Sequence, residues 1–582
     1  MPAFSAFSSA SAASSVGKHI QLRAENAYVQ RVVDATNAVL ERFGLALPVL
    51  ALTLLVLTIK YHNRALFAKP PRKELAYPPA WPLVGHTLAA LRNTESVLDW
   101  FLSMARHHPI GFSVSIAGSG VGQMNVVHRP EYIEYVQKTN FENFEKGLGF
   151  KKRFADLLGQ NGIFNSDGHV WKAQRKMASH IFSVYQFRTW VQTVVHRELD
   201  SVVGILDALT DGKSRNDPAT LLLPDLFYRY TLSSFGKMAF GCDIDCLSAD
   251  PSCLNHEVEF SSAFDFVQMV LDKRFRMPMW QLVERFSSEG RKNAKMVKKI
   301  NQFSSKIIDE RLREREAGVQ KEKKTSDGKE GKDLLDLFRD VTTDRDDLIS
   351  VVLNFIIAGR DTTAQGLSWL FYELMRNPQY VEEIRAEIRK VLGDEDGSIR
   401  KLDYDTAKDL VFTQACFNEA IRLHPPVPKN GKRAIKDDVI VPQGPTAAGL
   451  PPIKIYAGEM LSWSDWVIAR NPDVWGEDCC EFRPTRFLET VENADGTQSR
   501  TLKNYGQWKF HVFNGGPRLC LGMTLANYEA LSMVAAVMDR YEFGWASEAQ
   551  GQKADWPLKY LPSVTHPSQM YTATVVRRDE AR

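Results

Sequence analysis

The segment that decides the fold reads FNGGPRLCLG, from Phe513 to Gly522. It places Phe513, Gly516, Arg518, Cys520 and Gly522 in the pattern F-x-x-G-x-R-x-C-x-G, and five fixed positions make a chance match rare. Gly516 and Gly522 let the backbone approach a flat ligand closely and turn sharply into a helix that should start near Leu521. Backbone N–H groups at that helix start, with its dipole, favour a thiolate on Cys520. Arg518 stands where its guanidinium can meet an anionic group. The competing reading is a buried cysteine in a glycine-rich turn.

Four further segments precede it. AGRDTTA (Ala358–Ala364) puts Asp361 and Thr362, both weak helix formers, inside a helical pattern that spans 346 to 376. Gly359 weakens the hydrogen-bond ladder just before them, so a locally opened helix can present a hydroxyl and a carbonyl. An acid beside an alcohol makes a proton relay. Glu419 and Arg422 lie one helical turn apart in EAIR and by default form an ion pair of little worth. FRPTRF (Phe482–Phe487) supplies Arg486. WKAQR holds Trp171 and Arg175 at i, i+4, where an indole N–H and a guanidinium can point at one carboxylate.

Taken in order and ending at Cys520, these motifs resemble the membrane-anchored eukaryotic cytochromes P-450, the haem-thiolate monooxygenases, over roughly residues 70 to 575. The resemblance implies a mainly α fold with small β-sheets, in which haem lies between a long central helix and the cysteine loop. It implies haem b with Cys520 as the axial thiolate to iron. Phe513, Gly516, Arg518 and Gly522 would cradle the cofactor, and Trp171 and Arg175 would meet a propionate. A third propionate contact would come from Lys432, or from its neighbour Arg433. Asp361 and Thr362 would guide protons to dioxygen, while Glu419, Arg422 and Arg486 would form a structural triad.

Electrons must come from outside. Only 62 residues follow Cys520, too few for a flavin or iron–sulfur domain, and no phosphate-binding glycine fingerprint is present. The resemblance therefore implies a separate NADPH-dependent cytochrome P-450 reductase, with cytochrome b5 as a further donor. The stretches 93–101, 139–147, 162–183 and 263–280 are similar to the branch that hydroxylates the terminal carbons of long-chain fatty acids and alkanes. Two rival readings are a haem-thiolate isomerase or dehydratase of lipid peroxides, and a haem- or sterol-binding sensor without turnover. Retention of Asp361 and Thr362 argues against the isomerase, which needs no proton relay for dioxygen.

The remaining sequence sets boundaries. Of 582 residues, 73 are Lys or Arg and 70 are Asp or Glu, a net charge of +3 that gives no support for nucleic-acid binding. Apolar residues at 44% exclude a mostly disordered chain. A mean hydropathy of −0.27 excludes a polytopic membrane protein but not a single anchor. Seven cysteines, an odd number, point to a reducing compartment. Phe43–Ile59 is uncharged, and at ~1.5 Å per residue it reaches ~26 Å, close to the thinner endoplasmic-reticulum bilayer.

Bases crowd its C-terminal flank (Lys60, Arg64, Lys69, Arg72 and Lys73), which places the large C-terminal part in the cytoplasm. The expected organisation is an extension (1–42), whose near-helical apolar spacing across 20–43 suits either an amphipathic helix on the membrane or a segment packed elsewhere, then an anchor (43–59), a basic proline-rich spacer (60–85) and a haem domain (86–582). The acid-free first 24 residues also suit a mitochondrial transit peptide, the minor alternative location. Cys242, Cys246, Cys253 and His256 carry zinc-type ligand chemistry at an unfamiliar spacing, so partly buried structural cysteines are the preferred reading.

Overall fold

The computed structural model describes residues 46–578 apart from 119–122, 181–183, 317–333, 340–341, 343, 493–495 and 553–556, together with 30–31, 33–34, 37 and 44. The transit-peptide reading of residues 1–24, most of the amphipathic segment 20–43 and nearly all of the charged loop 314–333 lie outside these residues.

The helical periodicity of the sequence resolves into stacked helices, of which seven position the site. They are α1 (Ala46–Lys60), α2 (Gly168–Ser179), α3 (Leu223–Phe240), α4 (Glu259–Lys273), α5 (Arg345–Arg376), α6 (Val411–Leu423) and α7 (Met523–Val537). Helix α5 starts where the Asp344 carboxylate accepts from the N–H groups of Asp346 and Asp347, satisfying two orphan donors of the first turn. It is buried nearly all round and runs through the core, packed on α3, α6 and α7. Each fully buried leucine along it, such as Leu367 or Leu370, contributes about 2 kcal/mol of transfer free energy.

The expected opening of α5 is present. Residues Ile357–Asp361 form one π-helical turn between regular α-helical stretches. Gly359 is required there by close approach: a Cβ would come within 2.1 Å of the Phe235 ring on α3.

A five-stranded sheet flanks the helices, made of β1 (Gly111–Ser115), β2 (Gln123–Val127), β3 (Phe144–Glu145), β4 (Asn430–Ala434) and β5 (Met460–Trp463) in the order β1-β2-β5-β4-β3. Only the β2–β5 pair is parallel. Two further short strands, Asp438–Ile440 and Ile453–Ile455, pair with each other antiparallel. A mainly α fold with small sheets is what the sequence implies.

One expectation about the N-terminal region changes. Residues 60–85 are not a free spacer: Tyr61, Ala65, Ala68 and Leu75 are buried, Ala76 pairs with Phe112 on β1, and Arg72 forms a buried ion pair with Glu459 at 2.6 Å. Prolines stiffened this chain for docking along the sheet, so the packed domain begins well before residue 86. Helix α1 covers only 15 residues, and among the described residues no helix is long and apolar enough to cross a membrane.

The zinc reading also falls away. No group of three metal-ligating side chains exists among the described residues. Arg229 instead organises the cysteine loop by donating to the carbonyls of Cys246, Cys253 and His256.

Candidate active site

The cysteine loop closes one wall of an internal cavity of about 430 Å³, inside the roughly 300–1,000 Å³ range of ligand pockets. Gly516 has φ +60°, and a Cβ there would strike the Gln137 carbonyl at 2.5 Å, so only glycine lets the loop turn back against that backbone. The turn is pinned by the Cys520 N–H donating to Phe513 O at 2.9 Å. Gly522 then leads into α7, two residues later than the start expected at Leu521.

Phe513, Arg518, Cys520 and Gly522 all line the cavity. The Cys520 thiol keeps accessible surface, but that surface faces the cavity and not bulk water. Burial therefore pushes its pKa up, while the Gly522 N–H and Arg175 pull it down. The helix start does not offset the burial of the thiol; a metal cation bound to Cys520 would favour the thiolate, because coordination deprotonates a thiol outright.

On one edge of the same cavity, Lys146, Arg175, Lys432 and Arg518 converge. Trp171 and Arg175 come from one face of α2, and the Arg518 guanidinium lies 4.2 Å from the Trp171 ring. Asp167, at the N-cap position of α2, takes the Arg518 side chain at 3.0 Å, yet Arg518 Nε has no partner. Lys432 Nζ is fully buried without any partner, 5.5 Å from the Phe141 ring. Burial and the neighbouring cations hold Lys432 well below the usual lysine range, push Lys146 down to about 7 and bring Arg518 down to about 10.

Buried cations with unsatisfied donors require an anion. A flat macrocycle bearing two carboxylates, with its metal over Cys520, fits this donor set. The strand period separates the two candidates left open in the sequence: Lys432 shares the inner face of β4 with buried Ala434, whereas Arg433 is exposed and donates to Gly458 O. That inner-face alanine was a readable signal. Lys146 was missed because no motif spacing ties it to the others.

Glu419, Arg422 and Arg486 meet as expected, buried and outside the cavity. Arg422 bonds Glu419 at 2.6 and 2.9 Å, and Arg486 Nε reaches Glu419 Oε1 at 3.3 Å.

Asp361 and Thr362 separate. Thr362 lines the cavity, its hydroxyl donating back to Ala358 O at 2.7 Å. Asp361 turns the other way, toward Arg360 and the Gln268 amide of α4, both at 2.7 Å. Burial pushes its carboxyl up to about 6 against the pull of Arg360. The cavity-lining hydroxyl that touches Asp361 is that of Thr565, at 3.2 Å. A second buried acid missed by the sequence reading, Glu529 on α7, also lines the cavity; it accepts from Ser234 at 2.7 Å, and burial pushes it up to about 8.

A lone cavity-facing cysteine, a glycine loop and a cationic rim together define a haem-thiolate site. A profile of the cytochrome P450 family matches residues 75–570. The chain is 35% identical over 505 residues to "Cytochrome P450 monooxygenase cyp1" of Mycosarcoma maydis, covering 85% of this chain and 74% of that protein. It is 30% identical over 473 residues to cytochrome P450 94A1 of Vicia sativa, covering 80% and 85%. To cytochrome P450 86B1 of Arabidopsis thaliana it is 32% identical over 434 residues, 71% of each. The chain belongs to the cytochrome P450 family of haem-thiolate monooxygenases, with haem b as its cofactor and a cysteine as the axial ligand.

Proposed function

We propose that this protein inserts one oxygen atom from dioxygen into the terminal C–H bond of a long-chain fatty acid or alkane, at a membrane, with electrons from a separate NADPH-dependent reductase. Cytochrome b5 is a further electron donor in this reading. The observation that carries it is the lining of the cavity beyond Cys520: Thr362 and Gly359 of α5 line it together with aromatic side chains including Trp100, Phe101, Phe154 and Phe275. Such a wall suits an apolar chain and offers it few polar contacts. The stretches quoted above for the ω-hydroxylase branch supply part of the same wall.

Haem, when bound, supplies the dioxygen chemistry, helped by electron donation from the thiolate. The chain's own residues do the rest. Cys520 would hold the metal, and Lys146, Arg175, Lys432 and Arg518 would neutralise the carboxylates. Aromatic walls exclude water and hold the chain end in place. Thr362 and the Thr565–Asp361 pair offer hydroxyls from which protons can enter the cavity.

The exposed apolar side chains of α1, among them Leu50, Leu52, Leu55 and Ile59, support insertion of this segment in a bilayer. In this reading the membrane is that of the endoplasmic reticulum, with the haem domain in the cytoplasm. Full extraction of the chain from membranes by alkaline carbonate would contradict an integral anchor. For the activity, purified protein is incubated with a reductase, NADPH and dodecanoate. Formation of 12-hydroxydodecanoate supports the reading; NADPH-dependent product from no chain-like substrate sinks it.

A further inference from the structure

A second cationic group borders the cavity, apart from the rim that meets the cofactor. Asp272 in the last turn of α4, Arg276 just beyond it, Lys429 immediately before β4 and His566 from the C-terminal segment come together there. Lys429 and Arg276 both donate to the Asp272 carboxylate, and Lys429 Nζ lies 3.0 Å from His566 Nε2. Asp272, Lys429 and Arg276 all line the cavity, and Arg276 is 95% buried with its Nε unpartnered.

The charges do not balance. Burial holds His566 neutral, down to about 3, and Lys429 and Arg276 keep Asp272 ionised well below the usual carboxylate range against the opposing effect of its burial. One carboxylate thus faces two cations. Lys429 Nζ is bonded to Asp272 and lies against His566, whereas Lys432 Nζ has no hydrogen-bond partner, so the two lysines belong to different clusters on the cavity wall. An excess positive charge kept out of water costs several kcal/mol unless an anion reaches it. A guanidinium offers five donors in a planar fork, of which Asp272 occupies one.

We infer that Arg276, supported by Lys429, binds the carboxylate of a chain-like substrate whose apolar part lies along the aromatic wall. The inference rests on the proposed oxidation of fatty chains and names the group that sets its specificity: free acids over alcohols, esters and alkanes. Asp272 and His566 are positioning residues that hold Lys429 and Arg276 in place.

The test is a haem spin-shift titration of the full haem-loaded protein with dodecanoate, 1-dodecanol and methyl dodecanoate. A charge-assisted bidentate contact predicts that dodecanoate binds about 10- to 100-fold tighter than the alcohol or the ester. In Arg276→Leu that ratio falls to near one, and Arg276→Lys restores part of it. Lys429→Gln, a second variant should the first not fold, lowers the ratio by a smaller factor. Equal affinities for acid and alcohol in the native protein overturn the inference and leave chain oxidation standing, as does an Arg276→Leu protein that weakens all three ligands alike. Loss of haem from Arg276→Leu assigns the arginine to the cofactor and also overturns it. If none of the three ligands binds the native protein, the reading of chain oxidation fails and the carboxylate site fails with it.

Discussion

Arg422 and Lys432 are equally deep in the protein, at 1% and 2% exposure, yet their surroundings are opposite. All five N–H donors of Arg422 have acceptors: two on Glu419 and the carbonyls of Ala469, Cys479 and Glu481. Lys432 Nζ has none. A buried charge that is fully satisfied by its own chain belongs to folding. One left unsatisfied at a cavity wall is completed by a ligand, because natural structures leave few buried donors unpaired. The same sequence thus uses buried cations to lock the triad and, in the proposed reading, to meet the cofactor's carboxylates, and the hydrogen-bond inventory tells them apart.

The most severe way to break the comparison is Glu419→Ala, which leaves Arg422 and Arg486 buried beside each other without their shared carboxylate. A loss of about 3–5 kcal/mol is expected, enough to abolish a folded, haem-loaded product. Cys520→Ala removes the proposed metal ligand but no buried ion pair, so the helical fold persists while the thiolate spectrum of the reduced carbon-monoxide complex is lost. Circular dichroism with that spectrum checks both. Intact helicity in Glu419→Ala would show the triad to be dispensable.

Glu529 represents a third solution, a buried group that stays neutral. Its carboxyl titrates near 8 in the folded protein against 4.5 ordinarily, so between these values the folded state holds a proton that the unfolded state has lost. Stability then falls as pH rises, by about 2–3 kcal/mol between pH 6 and 9. Glu529→Gln removes that part of the slope. Urea unfolding of both proteins at the two pH values checks it; identical slopes would mean that Glu529 is ionised throughout.

Much of this was legible from local spacing. The cysteine loop, the Glu419–Arg422 turn and the Trp171–Arg175 face are each fixed within four to ten residues, and the structure places their side chains together as the spacing implies. Contacts made across the chain were not legible. Lys146 joins the rim through the β3–β4 pairing and a bond from its Nζ to Asn430, 284 residues away. Thr565 reaches Asp361 across 204 residues. Asp361 itself was misplaced for a related reason. Adjacent residues on a helix point about 100° apart, and a π-turn adds further rotation, so an acid beside an alcohol in sequence need not share its face. The proline-rich stretch 60–85 was read as a spacer because composition shows stiffness and not the sheet edge against which it packs.

A milder probe of the same contrast is Lys432→Met. Removing the unpartnered ammonium costs the fold no internal hydrogen bond, but it takes one cation from the rim proposed to meet the cofactor. Haem transfer from the variant to an excess of an apoprotein acceptor should be about tenfold faster, the equivalent of one charge-assisted contact. The urea midpoint of the haem-free state should not fall. A destabilised haem-free state with unchanged haem retention would assign Lys432 to the folding set instead.

The smallest effect concerns protons. Thr362 and Thr565 both present hydroxyls to the cavity, but only Thr565 is bonded to a buried acid, and Thr362 donates back to its own helix. If Asp361 is the proton source, Thr565→Val should lower product formed per dioxygen consumed more than Thr362→Val does. Water can occupy the place of a lost hydroxyl, so the drop should stay below the hundredfold of a lost general acid, at about 3- to 10-fold. The reduced carbon-monoxide spectrum should be unchanged in both, since neither hydroxyl touches Cys520. Simultaneous measurement of oxygen uptake, NADPH oxidation and product separates the two routes. Greater uncoupling in Thr362→Val would return the relay to the pair adjacent in sequence, and equal coupling in both would mean that protons reach the cavity without either hydroxyl.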